Sequence, residues 1–137
     1  MGQYHYLINL TKKQFVNPHE IGNGLKLQDQ IGWECSTSTA LVMLLAASNG
    51  PSGRGGGDFR GGSSLIGSWA GDRIAFVGDY ASKTDLPLDD EAHELYERCA
   101  NNKLKNISKE VRKMMEAEFS IIYTGDGWMD IKKANEM

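Results

Sequence analysis

The sequence predicts an α+β domain in which a small, mainly antiparallel sheet packs against two or three helices. Three observations favour this fold class. Strand-like segments occur near the start, the middle and the end of the chain, helix-like segments lie between them, and strands and helices do not alternate regularly. A length of 137 residues with 40% apolar residues is typical of one globular domain, residues 1–137, with its own core.

The N-terminal segment is predicted to form a β-hairpin. Residues 3–10 are rich in aromatic and β-branched residues, which favour strands. Because side chains alternate along a strand, one face of it holds His5, Leu7 and Asn9. Residues 14–16 then return as a short second strand.

Three helices are predicted from the spacing of apolar residues. Ser36 or Thr37 caps a first helix that runs to about Ser48. Its body is apolar almost all round, so we expect it to be buried on every side. Asp89 is a suitable cap for a second helix, and Ser108 opens a third.

The apolar run Ile74–Val77 has the length and composition of a buried strand, and we expect it to be central in the sheet. Gly71-Asp72 precedes it and Gly78-Asp79 follows it, so a turn is predicted at each end. Shorter strand candidates are residues 25–27 and 121–123.

Gly-Asp pairs occur four times in the chain and supply the candidate site residues. Their aspartates are Asp58, Asp72, Asp79 and Asp126. Loop carboxylates are suitable ligands for a hard cation, and Arg73 and His19 would suit an anionic ligand. The simpler interpretation is that each aspartate hydrogen-bonds the backbone of its own turn.

Residues 50–67 form a glycine-rich segment that is predicted to be a flexible surface loop. A ligand lid or a partner contact is the alternative. A phosphate loop is excluded because the segment follows a helix, precedes a strand and lacks Gly-Lys-Ser/Thr.

Charge and composition restrict the classes of partner. A net charge of −3 argues against a general nucleic-acid binder, which relies on surplus Lys and Arg. The sequence contains no signal peptide and no apolar stretch long enough to cross a membrane, so a soluble, cytoplasmic protein is expected.

The residues that most often carry chemistry do not form a recognised motif here. Cys35 and Cys99 are predicted to be buried free thiols, and the three histidines to be solvated. Nucleophile elbow, dinucleotide fingerprint and zinc spacing are absent. The sequence therefore does not identify a cofactor or a catalytic residue, and it favours a protein that is not an enzyme.

Several short motifs together resemble a family of small uncharacterised proteins encoded by phages, prophages and plasmids. They are the start Met1-Gly-Gln-Tyr4, Gly53-Arg-Gly-Gly-Gly-Asp58, Trp69-Ala-Gly-Asp-Arg-Ile74 and Gly78-Asp-Tyr-Ala81. The resemblance covers roughly residues 1–81. It implies a mobile-element origin and an action in the cytoplasm of the host cell, and it implies no reaction.

Two functions follow as expectations. The first is an accessory protein that binds a host or viral protein, one form of which is an inhibitor of a host defence system. The second is a protein that binds a small ligand or nucleotide, and that could hydrolyse it, at the Gly-Asp turns and the glycine-rich loop. The absence of a site motif favours the first.

Overall fold

The computed structural model describes residues 3–31, 35–86, 92–119, 122–123 and 129–130. Its main sheet contains β1 (His5–Asn9), β2 (Gln14–Val16), β3 (Ile74–Gly78) and β4 (Lys105–Asn106). The helices are α1 (Thr37–Leu44), α2 (Ala92–Ala100) and α3 (Ser108–Glu118). A separate antiparallel pair joins β5 (Ile122–Tyr123) to β6 (Met129–Asp130). The predicted α+β class is confirmed.

The strand order in the main sheet is β3-β1-β2-β4. β1 pairs antiparallel with both β2 and β3, whereas β2 and β4 are parallel. The predicted strand at residues 74–77 is therefore confirmed, but its predicted central position is wrong, because β1 is central and β3 lies at an edge. An apolar run indicates that other elements cover both faces of a strand. It does not indicate whether the strand has a hydrogen-bonded neighbour at each of its two edges.

Both faces of the sheet are covered, which explains why all five residues of β1 are buried. Leu7 belongs to a core cluster with residues of α1 and α3 and with the buried Trp69. Ile8 points to the opposite face and belongs to a second cluster with Leu95 and Cys99 of α2. The alternation of side chains along β1 thus links two cores through one strand.

α1 is shorter and more exposed than its composition predicts. It begins after Ser36, whose hydroxyl accepts a hydrogen bond from the N–H of Thr39 at 3.4 Å. It ends at Leu44, before the predicted Ser48. Val42 is 60% exposed, so the expectation of burial on every side is wrong. The described chain covers only one side of this helix.

The remaining sequence predictions divide into three groups. Cys35 and Cys99 are buried thiols, as predicted, and α3 begins at the predicted Ser108. The strand fragment at residues 25–27 is wrong, because the chain turns there into a 3₁₀ helix at Leu27–Gln30. The caps and turns predicted at residues 89 and 125–127 lie outside the described residues.

The glycine-rich segment is tied to the domain on two sides. Asn49 donates from Nδ2 to the carbonyl of Phe59 at 3.0 Å and accepts from the Phe59 N–H at 2.8 Å. Glu118 of α3 accepts from the N–H groups of Arg60 and Gly61, at 2.6 and 3.1 Å. These contacts hold the middle of the loop, and its flexibility stays a prediction.

Candidate functional site

Asp72 joins the start of β3 to the β1–β2 hairpin. Its carboxylate accepts a hydrogen bond from Nδ2 of Asn9 at 2.8 Å and forms an ion pair with Lys12 in the hairpin turn. The bond from Asn9 and the bond from Lys12 both lower the pKa of Asp72. Asn9 also accepts from the Lys12 N–H at 2.8 Å, so the three residues form one network. These contacts stabilise the hairpin turn and its junction with β3.

Asp79 and Asp58 lie elsewhere and have local partners of their own. Asp79 follows β3 and accepts from the N–H of Tyr4 at 2.9 Å. Seven residues of extended chain separate Asp79 from Asp72 by about 23 Å, so they are at opposite ends of the strand. Asp58 accepts from the N–H groups of Arg54 and Gly55 within the glycine-rich loop.

Of the three other candidates, His19 and Arg73 lie within the described residues. His19 lies in a 3₁₀ helix at Pro18–Ile21, where its N–H donates to Asn17. Arg73 continues the β1–β3 ladder through its backbone, and Asp126 is outside the described residues. Across the described ranges, no three His, Cys, Asp or Glu side chains lie close enough to hold a metal ion.

His5 is the ionisable residue that sequence reasoning missed. The prediction that it is solvated is wrong, since His5 is only 7% exposed. Its partner in the β1–β3 register is Gly78. A Cβ at Gly78 would lie 2.0 Å from Oε1 of Gln3 and 2.8 Å from Nε2 of His5. A side chain at position 78 would therefore displace the ends of the Gln3 and His5 side chains, which lie over its Cα.

Two buried polar atoms near the start of β1 have no hydrogen-bond partner in the described structure. They are Nδ1 of His5 and Oε1 of Gln30. Gln30 holds this region in place, because its Nε2 donates to the carbonyls of His5 and Leu25. Burial lowers the pKa of His5, and the nearby negative charge of Asp79 opposes that shift. His5 is therefore neutral at pH 7.

Two cavities flank His5 and Gln3 at this end of the sheet. One of about 160 Å³ is lined also by Phe76, Gly78 and Asp85. The other, of about 270 Å³, extends along residues 26–29. Carboxylates line both, and only the second contains a lysine.

Four exposed apolar residues belong to segments that meet at this end of the molecule, which we call the sheet end. They are Tyr4, Leu27, Ile31 and Tyr80, and each is between 43% and 62% exposed. Tyr4 is linked to Asp79, the residue before Tyr80, by two hydrogen bonds of 2.9 Å. Leu27 lines the cavity that contains His5. Periodicity could not reveal this grouping, because the four residues come from three separate segments.

The face of the sheet that packs against α2 contains two phenols and a thiol whose pKa values are raised by burial. Tyr6 and Tyr96 stack with ring centroids 4.4 Å apart and an interplanar angle of 10°. Burial raises the pKa of both phenols. It also raises the pKa of the Cys99 thiol to about 12, so this thiol is protonated at pH 7 and is a poor nucleophile.

Comparison of the chain with protein-family models, with curated proteins and with solved structures finds no match. Within the described residues, no helix is long and apolar enough to cross a membrane. The fold therefore defines the chain as a small α+β protein, and any function has to be argued from its surface and cavities.

Proposed function

We propose that this chain is a binding protein that acts by docking on another protein, as expected of an accessory factor carried by a phage or plasmid. The observation that supports this proposal is the group of exposed apolar residues at the sheet end. Tyrosine and other large apolar side chains are enriched at protein interfaces because they bury much area at small entropic cost. The family resemblance implies a mobile-element origin, and a host or viral protein is the partner that we propose.

The polar surroundings of the sheet end suit a reversible interface. Asp79 and Asp29 lie beside the apolar residues, with Lys26 as a nearby cation. Charged groups at a rim contribute to partner selection and association rate more than to affinity. A partner surface with an apolar centre and a basic rim would therefore complement this end of the molecule.

The experiment compares three purified proteins as bait in a lysate of the host cell. They are the parent, the double variant Tyr4→Ser/Tyr80→Ser, and the control Val42→Ser, which removes an equally exposed apolar side chain from α1. A partner held by the parent and the control, and lost by the double variant, supports docking at the sheet end. The captured protein is then purified, and its affinity for the three chains is measured by calorimetry.

Equal capture by all three proteins would contradict the sheet end as the docking surface. Absence of a specific partner, with all three chains folded by circular dichroism, would contradict the binding proposal itself. The hydrogen bonds between residues 4 and 79 use backbone groups of residue 4, so Tyr4→Ser leaves them in place.

A small-ligand function is the second candidate, and the unpartnered Nδ1 of His5 and Oε1 of Gln30 favour it. Buried polar atoms usually have a partner, so a bound molecule at the neighbouring cavities would explain them. Native mass spectrometry, compared with the denatured mass, measures any retained ligand. Extra mass that is lost in a His5→Phe variant would support this function, and a bare parent chain would contradict tight binding.

A further inference from the structure

Basic residues lie at one end of every strand of the main sheet, the end at which the β1–β2 turn is found. Lys12 and Lys13 belong to that turn, Arg73 precedes β3, and Lys105 begins β4. The Lys105 N–H donates to the carbonyl of Lys13 at 3.0 Å. The Arg73 N–H donates to Oγ1 of Thr11 at 2.9 Å, so these segments are adjacent. We call residues 11–13, 73 and 103–105 the hairpin end.

The lysines of the hairpin end are exposed to solvent. Leu104 is buried in the core, whereas Lys103 and Lys105 on either side of it are exposed. Lys13 is exposed as well, and its φ of 56° is a left-handed conformation that residues with a Cβ rarely adopt. Glycine or asparagine is more usual in such a turn, so the preference of the backbone does not explain a lysine here.

The carboxylate that contacts the turn compensates only part of this charge. Asp72 forms an ion pair with Lys12. Among the residues that the structure describes, Lys13 and Lys105 form no ion pair. The hairpin end is therefore a basic region on a chain whose net charge is −3.

One border of the hairpin end is acidic. Lys103 lines a groove along α2 together with Glu94 and Glu97. Glu94 forms an ion pair with Arg98, which leaves Glu97 as the carboxylate of this groove that faces Lys103 without a cation of its own among the ion pairs of the described chain. An anionic ligand would approach from the side of the turn, away from this groove.

The negative groups of the sheet end do not cancel the charge of the hairpin end. Asp79 and Asp85 lie at the opposite end of β1 and β3. The five residues of β1 span about 17 Å, whereas charges are screened over about 8 Å at physiological ionic strength. The net charge of the chain, which argues against a general nucleic-acid binder, therefore does not describe this end.

We propose that the hairpin end binds the phosphate backbone of a nucleic-acid duplex without reading its sequence. Four strands side by side give the basic row a width of about 14 Å, and a duplex presents about eight phosphates over that length. Lysines are compact point charges, which suit contacts with phosphates more than the recognition of a base.

The composition of this end favours a nucleic acid over an acidic protein. None of the large exposed apolar side chains of the described chain belongs to the hairpin end. Protein interfaces usually depend on such side chains as buried anchors, whereas contacts with phosphates need charge alone. The inference goes beyond the proposed function, because the hairpin end and the sheet end are different surfaces.

Fluorescence anisotropy of a labelled DNA duplex of about 20 base pairs tests the proposal, with salt varied between about 50 and 200 mM. We expect a dissociation constant of about 1–100 μM at the lowest salt. The logarithm of the association constant should fall with the logarithm of the salt concentration with a slope of about −3 to −4, since each lysine on a phosphate contributes about 0.9. A duplex of unrelated sequence should bind equally well.

Single variants locate the binding surface. Lys13→Gln and Lys105→Gln should each weaken binding on the order of tenfold at low salt and make the slope shallower by about 0.9. The control Lys83→Gln removes the same charge from an exposed position after β3 and should bind like the parent. Glu97→Gln should bind more tightly than the parent, because it removes a carboxylate that competes for Lys103.

A second variant decides the question if Lys13→Gln perturbs the turn. Lys13→Asn also removes the charge, and asparagine tolerates the left-handed conformation, so its loss of binding should match that of Lys105→Gln. Absence of duplex binding at low salt, a slope near zero, or an equal loss in Lys83→Gln would overturn the proposal. Displacement of the duplex by polyglutamate at equal charge concentration would overturn it in favour of an acidic protein. Each of these results leaves capture of a protein at the sheet end unaffected, so the two proposals fail separately.

Discussion

The two edges of the main sheet are built differently. β4 contains only two residues, Lys105–Asn106, and Asn106 donates from its side chain to Glu20 at 2.7 Å. The chain then enters α3 at once. β3 has five residues, none of them charged, and on its outer side the carbonyl of Gly78 accepts from the N–H of Ala81 at 3.1 Å. One edge strand is short and polar, and the other is longer and uncharged.

This difference indicates that edge protection is a local property of the sequence. Proteins usually blunt sheet edges with charge, proline or short strands, because an open edge pairs with other chains. In this domain β4 is short and polar, whereas β3 contains no charge and no proline.

The largest effect on stability is expected from a substitution in the interior of the sheet, compared with one at an exposed position. Leu7 is fully buried in β1 and packs between α1 and α3. Leu7→Ala should lower the free energy of unfolding by about 2–5 kcal/mol, because it removes buried methyl groups and leaves a cavity. Chemical denaturation measures the change. Leu27→Ala, at a position 47% exposed, should cost less than about 0.5 kcal/mol. Similar losses in both variants would contradict the described core.

The next effect concerns the glycine at the end of β3. Gly78→Ala places a Cβ against the side chains of Gln3 and His5 and should cost about 1–3 kcal/mol. Gly55→Ala is the matched control, because a Cβ there meets nothing within 4 Å. Urea titration of both variants measures the difference. A Gly78→Ala protein as stable as the control would show that the crossing of side chains over β3 is wrong.

His5 should make the stability of this end of the sheet depend on pH. Its pKa is lowered in the folded state, so the unfolded chain binds the proton more readily. The stabilisation is therefore complete above the unfolded pKa of about 6.5 and is lost as the pH falls from there through the lower folded pKa. One proton limits the slope to about 1.4 kcal/mol per pH unit. Midpoints of urea unfolding between pH 7 and pH 5 measure this slope, and His5→Gln should reduce it.

Other groups facing His5 have to be kept constant in that comparison. They are Asp79, Asp85, Asp29 and Lys26, from the segments that pack around the two cavities. An unchanged slope in His5→Gln would assign the pH dependence to these groups and contradict the role of His5.

The smallest expected effect tests how β3 is joined to the hairpin. Asp72→Asn removes the negative charge beside Lys12 but keeps an acceptor for Asn9. Lys12 is exposed, so solvent screens the pair and the melting temperature at pH 7 should fall by a few degrees at most. Because the pKa of Asp72 is lowered, the difference should disappear as the pH falls below 3.8 and through the lower folded pKa. Thermal melts at pH 7 and pH 2 measure it, and a difference that persists in acid would contradict this origin.

Local signals in the sequence predicted most of the elements. Alternation predicted β1 and β2, an apolar run between turns predicted β3, and helical spacing predicted α2 and α3. The edge position of β3 was not predictable in this way, because it depends on which distant strands pair. The predicted burial of α1 on every side was also wrong, since composition alone does not reveal how many other elements pack against a helix.

The candidate site was less predictable than the fold. Three described Gly-Asp pairs share a dipeptide but have different roles, in a loop, at a hairpin junction and at the end of a strand. The burial of His5 depends on a glycine that lies far along the chain, so no local pattern signals it. Exposed residues of the sheet end are likewise brought together only by tertiary structure.

The network of Asn9, Lys12 and Asp72 has a consequence for the order of folding. Lys12 lies three residues from Asn9, whereas Asp72 lies 63 residues from it. A hairpin closes in about 1–10 μs, but on the ribosome the segment that completes this network emerges several seconds later, at about 5–20 residues per second. During that delay, the β1 edge that β3 will occupy has no native strand beside it in the nascent chain.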